Sequence, residues 1–217
     1  MSWFSRGALA AIALVLVTAV SGVAAMQNTA TTVAYAPIPA GTYNIDPAHS
    51  VIGFSIRHFE LSWVSGRFKD FVGTITIDDK EMTKSSVAFT AKIASVDTGI
   101  GKRDDHLRTA DFFEAEKYPE LTFKSSKIER KSGNDYVAHG DLTIKGVTKQ
   151  IALPFTLSGA IKDQRGGSKI GVDAQTTVNR LDFGVGQDAP LPAGGAAIGN
   201  EVRIEISLEA ALQAPKS

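Results

Sequence analysis

Apolar and polar side chains alternate along most of this chain with a period of two, the signature of strands that bury one face. In the stretch Ser50 to Phe59, Ile52, Phe54, Ile56 and His58 share a face. Phe71, Gly73, Ile75 and Ile77 form the next set, followed by Val87, Phe89, Ala91 and Ile93. Leu121, Phe123 and Ser125 continue it, then Tyr136, Ala138, Gly140, Leu142 and Ile144. Ile151, Leu153, Phe155 and Leu157 precede Ile170, Val172, Ala174, Thr176 and Val178, and Val202, Ile204, Ile206, Leu208 and Ala210 close the pattern. Turn residues separate several of these eight runs, among them Asp78-Asp79, Lys145-Gly146 and Gly166-Gly167, and long helical spacers are lacking. The pattern predicts an all-β fold with an antiparallel sheet, closed or sandwiched. Eight strands can close into a barrel wide enough to hold one small ligand.

Two segments break the rhythm. Lys102 to Glu116 has helical composition, with a loose stripe of Ile100, Leu107, Ala110 and Phe113 and an opposite-sign pair at Asp104 and Arg108. Tyr118-Pro119 is expected to end that helix, because the residue before proline disfavours the α region. Gln187 to Gly199 is rich in Ala, Gly and Pro and reads as a mobile connection.

The N-terminus carries a different pattern. Arg6 precedes an almost unbroken apolar run from Ala8 to Val20, and Ser21-Gly22-Val23-Ala24-Ala25 supplies small residues. This is the three-part design of a secretory signal, expected to be cut after Ala25; Ala34-Tyr35-Ala36 offers a second small-x-small site further on. The run is about 13 residues, short of the roughly 20 that span a bilayer, so no stable membrane insertion is expected after cleavage. Residues 1–25 are therefore read as signal and residues 26–41 as a flexible linker. The chain has no cysteine, which excludes disulfides, thiol nucleophiles and Cys-ligated metal sites. The expected location is the periplasm or outside the cell.

The 217 residues carry 23 basic and 23 acidic side chains; without Arg6 the balance is 22 to 23. Affinity for phosphate backbones needs an excess of positive charge, so a nucleic-acid partner is not expected. Familiar catalytic and phosphate motifs are missing: no G-x-S-x-G, H-E-x-x-H, P-loop or G-x-G-x-x-G occurs. The four histidines, His49, His58, His106 and His139, show no short ligand spacing, so no metal is expected. Asp104-Asp105-His106 has the composition of a ligand cluster, but adjacent helical residues point in different directions, and surface solvation is the expectation. His58 stands out because it continues an apolar face. It is either a core histidine with a satisfied hydrogen bond or a polar group inside a cavity.

Longer motifs add to this reading. In order they are Tyr43-Asn44-Ile45-Asp46-Pro47-Ala48-His49-Ser50, Gly53-Phe54-Ser55-Ile56-Arg57-His58-Phe59 and Gly66-Arg67-Phe68-Lys69-Asp70-Phe71-Val72-Gly73. Arg103-Asp104-Asp105-His106-Leu107-Arg108-Thr109-Ala110-Asp111-Phe112-Phe113 follows, with Lys117-Tyr118-Pro119, Gly140 to Lys149, and Asn179-Arg180-Leu181-Asp182-Phe183-Gly184. This succession resembles the YceI family of bacterial lipid- and polyisoprenoid-binding proteins, from about Tyr43 to Leu212. The resemblance implies an eight-stranded antiparallel barrel of lipocalin-like shape over residues 42–213, with the short helical insertion near its mouth. It also implies an apolar tunnel for one long isoprenoid or fatty chain, a periplasmic or secreted setting, and no defining catalytic activity or cofactor.

On that reading Phe54, Ile56, Phe71, Ile75, Phe89, Leu142, Phe155 and Val172 line the tunnel, with Phe112 and Phe113 at its mouth. His58, and after it Arg57 or Arg180, are expected to meet a polar head group. Gly73, Ala91, Ala138, Gly140 and Ala174 on the apolar faces are expected to leave room, against the alternative of a solidly packed barrel. Competing functions are a metal-assisted enzyme using His58 and a stress-related partner-binding module; a homodimer is compatible with the sequence.

Overall fold

The computed structural model describes residues 35–214. The signal at residues 1–25 and linker residues 26–34 lie outside the described residues. Among the described residues there are eleven strands and one α-helix. The strands are β1 (Gly41–Ile45), β2 (Val51–His58), β3 (Ser62–Phe68), β4 (Phe71–Ile77), β5 (Ser86–Lys92) and β6 (Val96–Asp97). Helix α1 (Gly101–Arg108) follows, then β7 (Glu120–Ser132), β8 (Asp135–Ile144), β9 (Val147–Lys162), β10 (Ser168–Asn179) and β11 (Ile198–Leu212).

The pairing shows why eight runs become eleven strands. β1 pairs with β4 while β2 pairs with β3, and β4 pairs with β5 while β3 pairs with β6. Thus β1 with β2, β3 with β4, and β5 with β6 are three staves, each bent once in the middle. The bends adjoin one another: a single 3-10 turn at Pro47–His49, residues Lys69-Asp70, and another 3-10 turn at Ile93–Ser95. Lys69 N–H donates to Ser95 O and Lys92 N–H to Asp70 O, so the backbone groups freed at the bends find partners there. The remaining staves, β7 to β11, follow in antiparallel order. β11 closes the barrel by pairing with β10 on one side and with both β1 and β2 on the other. The result is an eight-stave, up-and-down antiparallel barrel, and each stave contains one of the eight runs.

Side chains alternate apolar inward and polar outward. On β10, for example, Val172 and Ala174 are buried while Asp173 and Gln175 are exposed. A membrane-spanning barrel would show the reverse.

Helix α1 stops eight residues before the predicted end. Thr109 takes an extended conformation and its hydroxyl donates to His106 O. The chain then doubles back, with Phe113 N–H donating to Leu107 O and Ala115 N–H to Arg108 O. A helix continued to Glu116 would carry Phe112 and Phe113 away on different faces; the reversal turns both rings toward the barrel. The predicted Asp104–Arg108 pair does not form. Arg108 binds Asp105 at 2.7 Å and the carbonyls of Ala94 and Val96. Asp104 is buried, not solvated: its carboxylate caps the Thr98 backbone N–H at 2.8 Å and also accepts from the Thr98 hydroxyl.

Residues 187–199, read as a mobile connection, are fastened at several points. Ala197 N–H donates to Ala189 O, and Phe59 N–H donates to Ala197 O. At the other end, Ala36 pairs with Ala160 of β9, and buried Tyr43 donates its hydroxyl to Pro39 O.

On the outer face, Glu129 is held at about 2, well below its ordinary 4.5, first by the Lys131 ammonium and then by His139. A depressed carboxylate contributes stability above its unfolded pKa and loses it as pH falls through the folded value. Glu129→Gln is therefore expected to melt slightly below wild type at neutral pH. The gap should close between about pH 4.5 and about pH 2 in melts across that range, because both proteins then carry a neutral side chain. A gap unchanged at the acid end would rule the carboxylate out as its source.

Candidate functional site

The inward faces do not meet at the barrel axis. They enclose a cavity of about 460 Å³, within the range of small-molecule sites. Its wall is mostly Ile, Leu, Val and Phe side chains. Inward residues such as Phe155, Ile204 and Leu208 keep partial exposure, and the surface they expose is this wall. The solidly packed alternative therefore does not describe the barrel.

Of the predicted lining residues, Phe54, Ile56, Ile75, Phe89, Leu142, Phe155 and Val172 all border the cavity, as do Phe112, Phe113, His58 and Arg180. Phe71 does not. It is buried in the core with its ring 6.0 Å from that of Phe89, and Phe89 is what meets the lumen. Alternation puts Phe71 on the inward face; its place beside the stave bend puts it behind a neighbour. Nor do all the small inward residues open space. A Cβ on Gly140 would lie 2.4 Å from Lys124 O, and one on Gly73 would lie 2.6 Å from the Ile45 side chain. These glycines admit neighbouring protein atoms, not a ligand. Ala138 and Ala174 do border the cavity.

One end of the barrel is polar. His58 and His106 are both exposed and both border the cavity. Arg103, His106 and Leu107 lie at i, i+3 and i+4 on α1 and present one face of it to this mouth. Arg103 donates to Thr98 Oγ1 at 2.6 Å and Thr98 O at 2.7 Å and has no ion pair among the described residues. His106 bonds Asp111 at 2.9 Å and meets the Phe112 ring edge-on. The aromatic wall continues inward through Phe113, Phe68 and Phe54, with successive ring centroids 6.0 and 5.7 Å apart. Arg103 and His106 were legible as helix neighbours, but the Ile100–Leu107–Ala110–Phe113 stripe drew attention elsewhere; Ile100 and Ala110 are in fact exposed.

The other two expected head-group residues are occupied. Arg57 lies over the Trp63 ring at 5.2 Å and donates to Glu60 O. Arg180 is buried, and its guanidinium donates to Gly199 O, Val185 O, Gln187 O, Ile198 O and Asn200 Oδ1. Loss of hydration pushes its pKa down, and Asp188 opposes that shift. Arg180 is a clamp on residues 185–200 that borders the cavity.

The histidines are not all without ligand-spaced companions. Asp46, His49 and Glu209 bring one ligand atom each within 4.8 Å on the surface. The trio is internally paired: His49 hydrogen-bonds Asp46 at 2.8 Å and holds that carboxyl below its ordinary range, while Lys169 binds Glu209. It lies apart from the cavity lining, and His58 is not among its members.

A family model described as a YceI-like domain matches residues 43–210. The chain is 40% identical to Protein YceI of Escherichia coli over 176 residues, which span 80% of this chain and 88% of that one. The barrel is similar to that of Burkholderia cenocepacia BcnA, with a TM-score of 0.67 and 27% identity over 76% of this chain and 98% of BcnA. It is also similar in fold to a polyisoprenoid binding domain from Saccharophagus degradans, with a TM-score of 0.57 and 16% identity over 81% of this chain and all of that one.

Proposed function

We propose that this chain, which belongs to the YceI-like family, is a non-catalytic carrier that shelters the long apolar tail of an isoprenoid or fatty lipid inside its barrel. The observation that carries this reading is the apolar cavity of about 460 Å³ with a polar rim at one end. Each buried CH₂ contributes about 0.8 kcal/mol, so a long chain gains ample affinity with little polar contact. His58, Arg103 and His106 then face the head group. The description of the Saccharophagus degradans neighbour as a polyisoprenoid binding domain supports this ligand class through a shared fold. The signal-like N-terminus supports a site of action in the periplasm or outside the cell, where a lipid crossing water needs such shelter.

An enzyme reading has no comparable support. Among the described residues the His58 ring makes no hydrogen bond, and His58 belongs to no cluster of ligand-spaced His, Asp and Glu; its ring lies edge-on to that of Phe59 at 4.5 Å. The test is a mass spectrum of the organic-solvent extract of the purified protein. A long-chain isoprenoid or fatty lipid at about one per barrel is expected. An extract empty of lipid, from protein that also fails to take up added long-chain lipid, would sink the carrier reading.

A further inference from the structure

At the polar end of the barrel, the turn joining β2 to β3 has an unusual composition. It is a three-residue connection, Phe59 to Leu61, tightened by Leu61 N–H donating to His58 O at 3.0 Å, and two of its residues have positive φ: Phe59 at 50° and Glu60 at 57°. Gly and Asn adopt such a backbone cheaply; a bulky Phe there is strained. Leu61, the last residue of the connection, is 84% exposed, more than any other large hydrophobic side chain among the described residues. Phe59 and Trp63 beside it are exposed as well, as is Ile100, which follows β6, the neighbour of β3. A strained and solvent-facing apolar turn points to a role.

Its position and its charge say what it meets. His58, the last residue of β2, borders the cavity, so the turn stands directly beside the mouth. Arg203 lies 3.8 Å from the centre of the Trp63 ring and Arg57 lies 5.2 Å from it. Arg103 borders the cavity near the start of α1, next to exposed Lys102. The one acid in the turn, Glu60, is drawn back onto Ala196 N–H. An amphipathic aromatic beside basic groups, with an aliphatic tip, matches the boundary layer of a bilayer that carries anionic head groups. No helix among the described residues is long and apolar enough to cross a membrane, so the contact is one of docking. We propose that the Phe59–Trp63 turn docks the barrel mouth on the surface of an anionic phospholipid bilayer.

The proposal is independent of which lipid fills the cavity, and its test reads the two separately. The probes are vesicles of phosphatidylcholine alone and of phosphatidylcholine mixed with phosphatidylglycerol, with protein whose N-terminus is fixed by intact mass. Residues 26–217 contain a single tryptophan, Trp63, so its emission reports the turn. Wild type is expected to bind the mixed vesicles more tightly, to lose binding as salt rises, and to shift its emission to the blue. Leu61→Asp should weaken binding about tenfold or more, with extracted lipid per mole unchanged. The double change Phe59→Asn with Glu60→Gly should raise the melting temperature and still weaken binding, which separates docking from folding. Leu61→Asp protein that binds as tightly as wild type would overturn the proposal, as would wild-type protein that ignores both kinds of vesicle.

Discussion

Arg180→Met is expected to lower the stability of the protein by about 3 kcal/mol or more, a large effect for one side chain that touches no carboxylate directly. The guanidinium donates to four backbone carbonyls and the Asn200 side chain, all within 3.2 Å. Three of those carbonyls, Gln187, Ile198 and Gly199, lie at the two ends of the Ala-, Gly- and Pro-rich segment, which lacks a packed core of its own. Removing the guanidinium leaves buried acceptors without donors, each costing roughly 1–3 kcal/mol where water cannot reach it. Part of the loop will open to water and recover some of that, which keeps the total below the simple sum. Arg180→Lys should recover little, because one ammonium cannot span acceptors arranged around a planar fork. Melts of both variants check this, with an expected fall of about 6–15 °C for a domain of this size. A Met variant within a degree or two of wild type would mean that the segment is held elsewhere.

That clamp shows which parts of the molecule could be read from residue order and which could not. Stave number followed from period-two alternation, because every stave buries one face along its length. Of the halves that escaped, β1 and β6 are short, and β1, β3 and β6 are all set off by the bends. In β3 the alternation is also inverted to the eye: Trp63 points out beside two arginines, while Gly66 points in. Most of the cavity wall was legible for the same reason as the staves. Phe71 was not, since alternation assigns a face and says nothing about which neighbour stands between a side chain and the lumen. Gly73 and Gly140 were misread as open space because a missing side chain signals close approach as readily as vacancy. Asp104 and Arg180 belong to a third class. Their partners are backbone groups, Thr98 N–H for one and loop carbonyls for the other, and no side-chain pattern records those.

Phe89→Trp is expected to leave the fold intact while lowering the lipid recovered per mole of protein several-fold. Phe89 is only half-buried although it faces inward, and its free surface borders the cavity. Its ring rests on Phe71, at 6.0 Å and tilted by 44°, so a larger ring cannot move back into the core and must extend into the lumen. In a solid core the added bulk would cost roughly 1–3 kcal/mol through off-rotamer packing. Here the indole takes volume that the core does not use, and stability should stay within about 1 kcal/mol of wild type. The indole N–H weighs slightly against the change, since it enters an apolar space without a partner. Ligand loss is the larger effect, because a wall that narrows midway removes room from every carbon beyond it. A melt and an organic extract of the same preparation decide the matter. Undiminished lipid together with a large drop in melting temperature would mean that Phe89 packs against protein and that the tail of the ligand runs elsewhere.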